Sequence, residues 1–152
     1  MCFIVDACRK IQNLVMHYAE LIDGGDFSGV AELLKDCTIC SPIDEGGIKG
    51  YQQVLDLFTA STRIFPDTGT PRTKHVLTNL IIELESEVAE VAFARSYYTV
   101  FQGTDQLPFQ PIVAGRYHDE FEKIGDAWKF SRRNILVDFI GDVSQHLLVD
   151  IG

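Results

Sequence analysis

The spacing of apolar residues changes period once along this chain, near Thr73, and that change limits what the chain can fold into. Before it, Ile11, Leu14, Val15, Tyr18 and Ile22 recur at i, i+3, i+4, i+7 and i+11, one stripe of an amphipathic helix from about Asp6 to Asp23. Gly24-Gly25 stops that helix, because glycine readily takes the left-handed geometry of a helix C-terminus. Asp26 is placed to cap a second helix that buries Phe27, Val30, Leu33 and Leu34. Tyr51, Val54, Leu55 and Phe58 space a third helix ending near Arg63, and Pro66, Gly69 and Pro71 fill the loop after it. Between the second and third helices, Cys37 to Ile43 reads as a short strand and Asp44-Glu-Gly-Gly47 as a turn.

From Thr73 onward, residues 76–84, 88–101, 112–121 and 128–140 are rich in β-branched and aromatic side chains. Short turns or the 103–108 loop separate them, which is the pattern of an antiparallel meander. Helices followed by strands give an α+β domain, a single one over residues 1–152: three N-terminal helices packed on one face of a strongly curved, mainly antiparallel sheet. Several strands are apolar on both sides, as where Val91, Phe93 and Tyr97 alternate with Ala92, Ala94 and Tyr98. One side therefore lines a core or pocket. The other is expected to be covered by a second copy, in a homodimer or a higher oligomer built from dimers.

Charge and motifs remove whole classes of partner. Thirteen Lys plus Arg against twenty-two Asp plus Glu leave a net charge of −9, a field that repels phosphate backbones and anionic lipid. Neither nucleic acid nor a membrane is an expected partner. No apolar run approaches the ~20 residues of a membrane-spanning helix. The first residues lack the basic and long apolar regions of a signal peptide, so the expected location is cytoplasmic. Cys2, Cys8, Cys37 and Cys40, in a chain large enough to build its own core, read as reduced thiols. On a strand the Cys37 and Cys40 side chains point to opposite faces, and His118 with Glu120 lacks a third ligand, so no metal is expected. No organic cofactor is expected either: a glycine-rich phosphate loop, GxSxG and HExxH are all missing.

Three residues distant in sequence carry candidate chemistry. Asp23 sits in the last turn of the first helix, where the helix dipole disfavours a carboxylate by ~0.3–1 kcal/mol. It is either a solvated turn residue or a charge that something compensates. His75 opens a strand of mostly apolar residues; facing inward beside a carboxylate, its ring would be the oriented half of a general base. On pattern alone His17, His118 and His146 rank below it. Arg132 and Arg133 interrupt the last strand, and a guanidinium turned inward needs a carboxylate or an anionic substrate. Strict alternation groups Arg133 with Lys129 and Ser131, opposite Trp128 and Phe130, so the face it occupies depends on bulges. Tyr18, Phe58, Tyr97, Tyr98 and Phe101 would wall a pocket for a small apolar or aromatic molecule.

Four segments taken together resemble a known family: Asp23-Gly-Gly-Asp26-Phe27, Thr73-Lys-His75-Val-Leu-Thr-Asn79, Gly115-Arg-Tyr117-His-Asp119-Glu-Phe121, and Gly125-Asp-Ala-Trp128-Lys-Phe130-Ser-Arg-Arg133. The chain is similar to the SnoaL-like branch of the nuclear transport factor 2-like superfamily, which includes dehydratases, dehydrochlorinases, polyketide cyclases and dioxygenase β subunits. The resemblance implies a cone-shaped α+β fold and, by motif, a catalytic Asp23–His75 dyad with Arg133 in the pocket. Tyr18 stands where the dehydrochlorinases have a lysine, which counts against halide elimination and leaves a phenol as hydrogen-bond donor. The implied function is a cofactor-independent enzyme of the dehydratase, isomerase or cyclase type, with His75 removing a carbon-bound proton. The alternative is a non-catalytic binding protein or an assembly subunit like the dioxygenase β chains. A hydrolase would need a further polar group beside the dyad to position water.

Overall fold

The computed structural model describes residues 3–41 and 44–150. Helix α1 (Phe3–Asp23) buries the stripe that its spacing predicts, with Ile11, Val15, Tyr18 and Ile22 all fully or almost fully covered. Full burial of a side chain of this size contributes ~1.5–3 kcal/mol, so four of them anchor the helix. Its end is a two-bond C-terminal turn, with Asp26 N–H donating to Leu21 O at 2.9 Å and Gly25 N–H to Ile22 O at 3.0 Å. Gly25 has φ 73°, and a Cβ there would lie 2.3 Å from Gly69 O, so the turn and the neighbouring loop both require glycine. Helix α2 (Phe27–Leu34) starts at once because the Asp26 carboxylate accepts from Gly29 N–H at 2.8 Å. Helix α3 (Tyr51–Ser61) buries Val54 and Phe58.

The strands are β1 (Thr38–Ser41), β2 (Asp44–Ile48), β3 (Thr73–Glu83), β4 (Val91–Gln102), β5 (Gln110–Ile124) and β6 (Ala127–Ile140). They form one curved sheet in the order β2-β1-β6-β5-β4-β3. Only β1 and β6 run parallel among these pairs. Two expectations are corrected. Asp44–Gly47 is not a turn but most of β2, an edge strand whose Gly47 takes φ 71° beside an irregular register with β1; an edge tolerates glycine that a central strand would not. The second long strand starts at Val91 rather than Val88. The strand expected from Cys37 is four residues, Thr38–Ser41, and Ile43 lies outside the described residues.

Helix α1 packs against β3 and β6, and α2 against α3 and β6, so all three helices cover one face of the sheet. Ala92, Ala94, Tyr98 and Val100 of β4, Tyr117 and Phe121 of β5, and Trp128 and Phe130 of β6 fill the space between the layers. The outer face leaves Val76, Val91, Phe93, Tyr97, Val137 and Phe139 exposed. Among the described residues no helix is long and apolar enough to cross a membrane. Cys8, Cys37 and Cys40 are free thiols, and Cys2 lies outside the described residues.

Candidate active site

The C-terminus of α1 delivers Asp23 to the first residues of β3, where three donors converge on its carboxylate. His75 Nδ1 lies 2.7 Å from Oδ1, Thr73 Oγ1 donates to the same oxygen at 2.8 Å, and the His75 main-chain N–H donates to Oδ2 at 2.8 Å. These bonds answer the question posed by a carboxylate at the negative end of a helix. Burial pushes the Asp23 pKa up; the hydrogen bonds and charge of His75, with the Thr73 hydroxyl, outweigh it and hold the carboxyl below its ordinary value. With Asp23 ionised, Nδ1–H is the ring donor to it, and Nε2 makes no hydrogen bond with the described residues. The two side chains are 8% and 11% exposed, buried enough to be held still and open enough to be reached.

Arg133 faces inward, with Trp128 and Phe130 rather than with Lys129. The cause is a bulge: Phe121 pairs with Phe130 and Glu120 with Arg132, so Ser131 is the extra residue and the alternation resets after it. Arg133 Nε and Nη2 each donate to one Asp119 oxygen at 2.8 Å, a bidentate pair between side chains 0% and 1% exposed. The guanidinium carbon also lies 4.0 Å from the Tyr117 ring centroid, 4.3 Å from Tyr18 and 4.8 Å from Phe130. Desolvation works against the Arg133 charge, but Asp119 overrides it and the group stays protonated. Nη1 is buried without a hydrogen-bond partner among the described residues.

Tyr18 joins the two pairs. Its ring meets His75 edge-on at 6.5 Å and Phe58 at 6.3 Å, while its face covers Arg133. Burial above all raises the Tyr18 pKa, against the nearby Arg133 charge, so the hydroxyl keeps its proton. Tyr98 is buried, stacks on Tyr117 at 4.4 Å and donates to Leu136 O at 3.1 Å. Gly115 makes that approach possible, because a Cβ there would sit 2.7 Å from the Tyr98 oxygen and 1.9 Å from Leu136 O.

The predicted residues thus divide. Tyr18, Asp23, Phe58, His75, Tyr98 and Arg133 share the interior between helices and sheet. Tyr97 and Phe101 do not belong to that wall: on β4 the even-numbered side chains point in, leaving Tyr97 53% exposed and Phe101 stacked on Phe109 at the outer face. Sequence reasoning passed over Asp119 and Thr73, which hold Arg133 and Asp23. Asp119 had a signal, since it alternates with Tyr117 and Phe121 on an apolar strand face. Among the described residues no group of three His, Cys, Asp or Glu is placed to hold a metal ion.

Solved structures with the same architecture are numerous. A proposed scytalone dehydratase from Novosphingobium aromaticivorans is 23% identical with a TM-score of 0.69, covering 92% of this chain and 89% of its own. Hexachlorocyclohexane dehydrochlorinase type 3 from Novosphingobium barchaimii is 21% identical with a TM-score of 0.69, covering 91% of each chain. The β subunit of a proposed aromatic-ring-hydroxylating dioxygenase from N. aromaticivorans is 16% identical with a TM-score of 0.67, covering 91% of this chain and 94% of its own. At such identities these likenesses establish the fold and leave the chemistry to the site. Comparison with curated proteins gave no match. The family model described as SnoaL-like domain matches residues 5–134, most of the sequence, and the chain therefore belongs to the SnoaL-like family.

Proposed function

We propose that this protein is a small-molecule enzyme of the dehydratase, isomerase or cyclase type, in which His75 removes a carbon-bound proton without a cofactor. The observation that carries the reading is the clamp of Asp23 on both Nδ1 and the main-chain N–H of His75, at 2.7 and 2.8 Å, with Nε2 left unpaired. Nε2 takes the proton; the C–H electron pair forms a C=C bond, either as a leaving group on the next carbon departs with its own bonding pair or as an adjacent carbonyl π pair moves onto oxygen to give an enolate, and the Asp23 carboxylate stabilises the imidazolium. Tyr18 and Arg133 Nη1, the latter unpaired among the described residues, are the donors assigned to negative charge that develops on the substrate. Tyr18, Phe58 and Tyr98 favour a small apolar or aromatic molecule. The test is incubation of the intact protein with dehydratable and enolisable compounds in deuterium oxide, following the reacting C–H by NMR. Deuterium incorporation or elimination is expected with the wild type and not with His75→Ala; equal turnover in both removes His75 from the chemistry.

A second reading is favoured by the Arg133–Asp119 pair, whose complete burial suits a structural network. In it the protein binds a small molecule or serves as an assembly subunit, and no screened compound reacts. Both readings leave the apolar outer face of the sheet to a second copy of the chain. Light scattering at micromolar concentration is expected to give at least twice 17.0 kDa, and a monomer throughout that range would remove the dimer.

A further inference from the structure

Beyond β6 the chain turns back at Gly141, whose N–H donates to Ile112 O at 2.7 Å, and then returns across the end of α3. Leu147 bridges Thr62, Arg63 N–H donates to His146 O at 2.8 Å, and Leu148 N–H donates to Ser61 O at 2.9 Å. The fully buried Gln102 completes the attachment, its amide nitrogen donating both to Pro71 O and to Gln145 O at 3.0 Å. Gln102 also pairs with Thr73 across the β3–β4 ladder, and Thr73 is the residue whose hydroxyl holds Asp23. The return segment therefore brings His146 to the corner occupied by the dyad.

His146 is 8% exposed, and its Nδ1 is buried with no hydrogen-bond partner among the described residues. An unpaired buried ring nitrogen is costly and uncommon, and nothing in the chemistry above uses it. Burial first, then the charge of His75, push the His146 pKa down to about 4, with Asp23 acting in the opposite sense. The ring is thus neutral at pH 7. A cleft of about 320 Å³ is lined by Phe65, Arg72, Thr104 and Gln145, of which Arg72 and Gln145 are chain neighbours of Thr73 and His146.

We propose that His146 is a further substrate-contacting residue of this site, its Nδ1–H donating to the carbonyl oxygen of an enolisable substrate whose adjacent carbon His75 deprotonates. The inference rests on the reading of His75 as the base. His75 Nε2 takes the carbon-bound proton, the C–H pair forms the C=C bond of the enolate, and the carbonyl π pair moves onto oxygen. His146 holds that oxygen by a hydrogen bond and keeps its own proton. A neutral donor suits the place, because a second imidazolium would repel the one that forms on His75.

The test compares para-nitrophenol, whose oxygen on a planar ring stands for the enolate, with para-nitrotoluene, which has the same shape and no oxygen there. Calorimetry with the intact protein is expected to show para-nitrophenol binding about tenfold more tightly. His146→Phe should abolish the preference and His146→Asn should restore part of it. In ¹⁵N spectra of the wild type, the His146 Nδ1 signal should move with para-nitrophenol and stay still with para-nitrotoluene, a readout that survives if the variants fold poorly. A preference undiminished in His146→Phe, or an unmoved signal, overturns the proposal. If His75→Gln alone removes the preference, the dyad site stands without His146; if the wild type binds neither probe, the proposal and the underlying reading fall together.

Discussion

Two acid–base pairs lie in the same interior, and they spend their hydrogen-bonding groups differently. Asp23 and His75 come from the end of a helix and the start of a strand, share three hydrogen bonds with Thr73, and leave the ring nitrogen opposite Asp23 without a hydrogen bond among the described residues. Asp119 and Arg133 face each other across the β5–β6 ladder, use both carboxylate oxygens on each other, and are shut in by three aromatic rings. A buried charge pair locked together at two points braces the sheet, whereas one that leaves a ring nitrogen free can move a proton. Tyr18 touches both, so the brace also fixes the wall of the reactive corner.

The largest expected difference is in rate. With a substrate identified by the exchange assay, His75→Ala should lose ~10²–10⁴ in kcat, the usual worth of a general base. Asp23→Asn should also be severe, since an amide holds the ring imperfectly and cannot stabilise imidazolium. The double variant should be no slower than His75→Ala, because base and orienter act as a unit. Multiplicative losses would mean that the two residues do separate jobs.

Stability should show the reverse ranking. Asp119→Ala leaves a guanidinium buried and unpaired and is expected to cost ~3–5 kcal/mol in urea unfolding, against ~1–2 kcal/mol for Asp23→Asn. Arg133→Lys should fall between wild type and Arg133→Ala, as an ammonium keeps the charge but not the planar fork. Equal losses at Asp119 and Asp23 would erase the distinction between brace and reactive pair.

Helix α1 and strand β4 were legible because each keeps one period, as the buried Ile11, Val15, Tyr18 and Ile22 and the alternating burial along β4 show. Where the period breaks, local reasoning lost the face. The Ser131 bulge turned Arg133 inward, and glycines that suit a turn proved equally suited to the β2 edge. Tyr97 and Tyr98 could have been separated by alternation alone, since Ala92, Ala94 and Val100 mark the inner side of their strand. The proximity of Asp23 to His75 followed from family resemblance. Nothing in either local segment says that residues 52 apart will meet. His146 was beyond reach, because its position is fixed by Gln102 and by the end of α3 rather than by its neighbours in sequence.

Acid should act on the reactive corner. His146 has a folded pKa of about 4 against an ordinary 6.5, so between those values the unfolded chain binds more protons and stability falls as pH falls. The loss from pH 7 to pH 4 should approach roughly 3 kcal/mol for this ring. Asp23, with its folded pKa below the ordinary 3.8, adds stability that is complete above that value and disappears at still lower pH. Urea midpoints for wild type and His146→Phe between pH 7 and pH 4 check this: the variant should show a visibly flatter dependence, and parallel curves would place the acid-sensitive group elsewhere.

The smallest effect is expected at a third pair that copies the geometry of the brace without its burial. Arg116 donates to Asp138 from Nε at 2.9 Å and from Nη2 at 2.8 Å, the same two-point contact that Arg133 makes with Asp119. Its side chains are 43% and 33% exposed, so water screens the attraction and solvates either partner when the other is removed. Arg116→Gln should leave the urea midpoint within error of wild type at physiological salt. Raising the salt should change the wild type and this variant alike. If Arg116→Gln instead destabilises as much as Asp119→Ala, then two-point geometry rather than burial sets the worth of these pairs, or the outer face carrying Arg116 is itself covered by a second copy. Repeating the measurement across protein concentration separates the two, since only a covered face makes the loss depend on concentration.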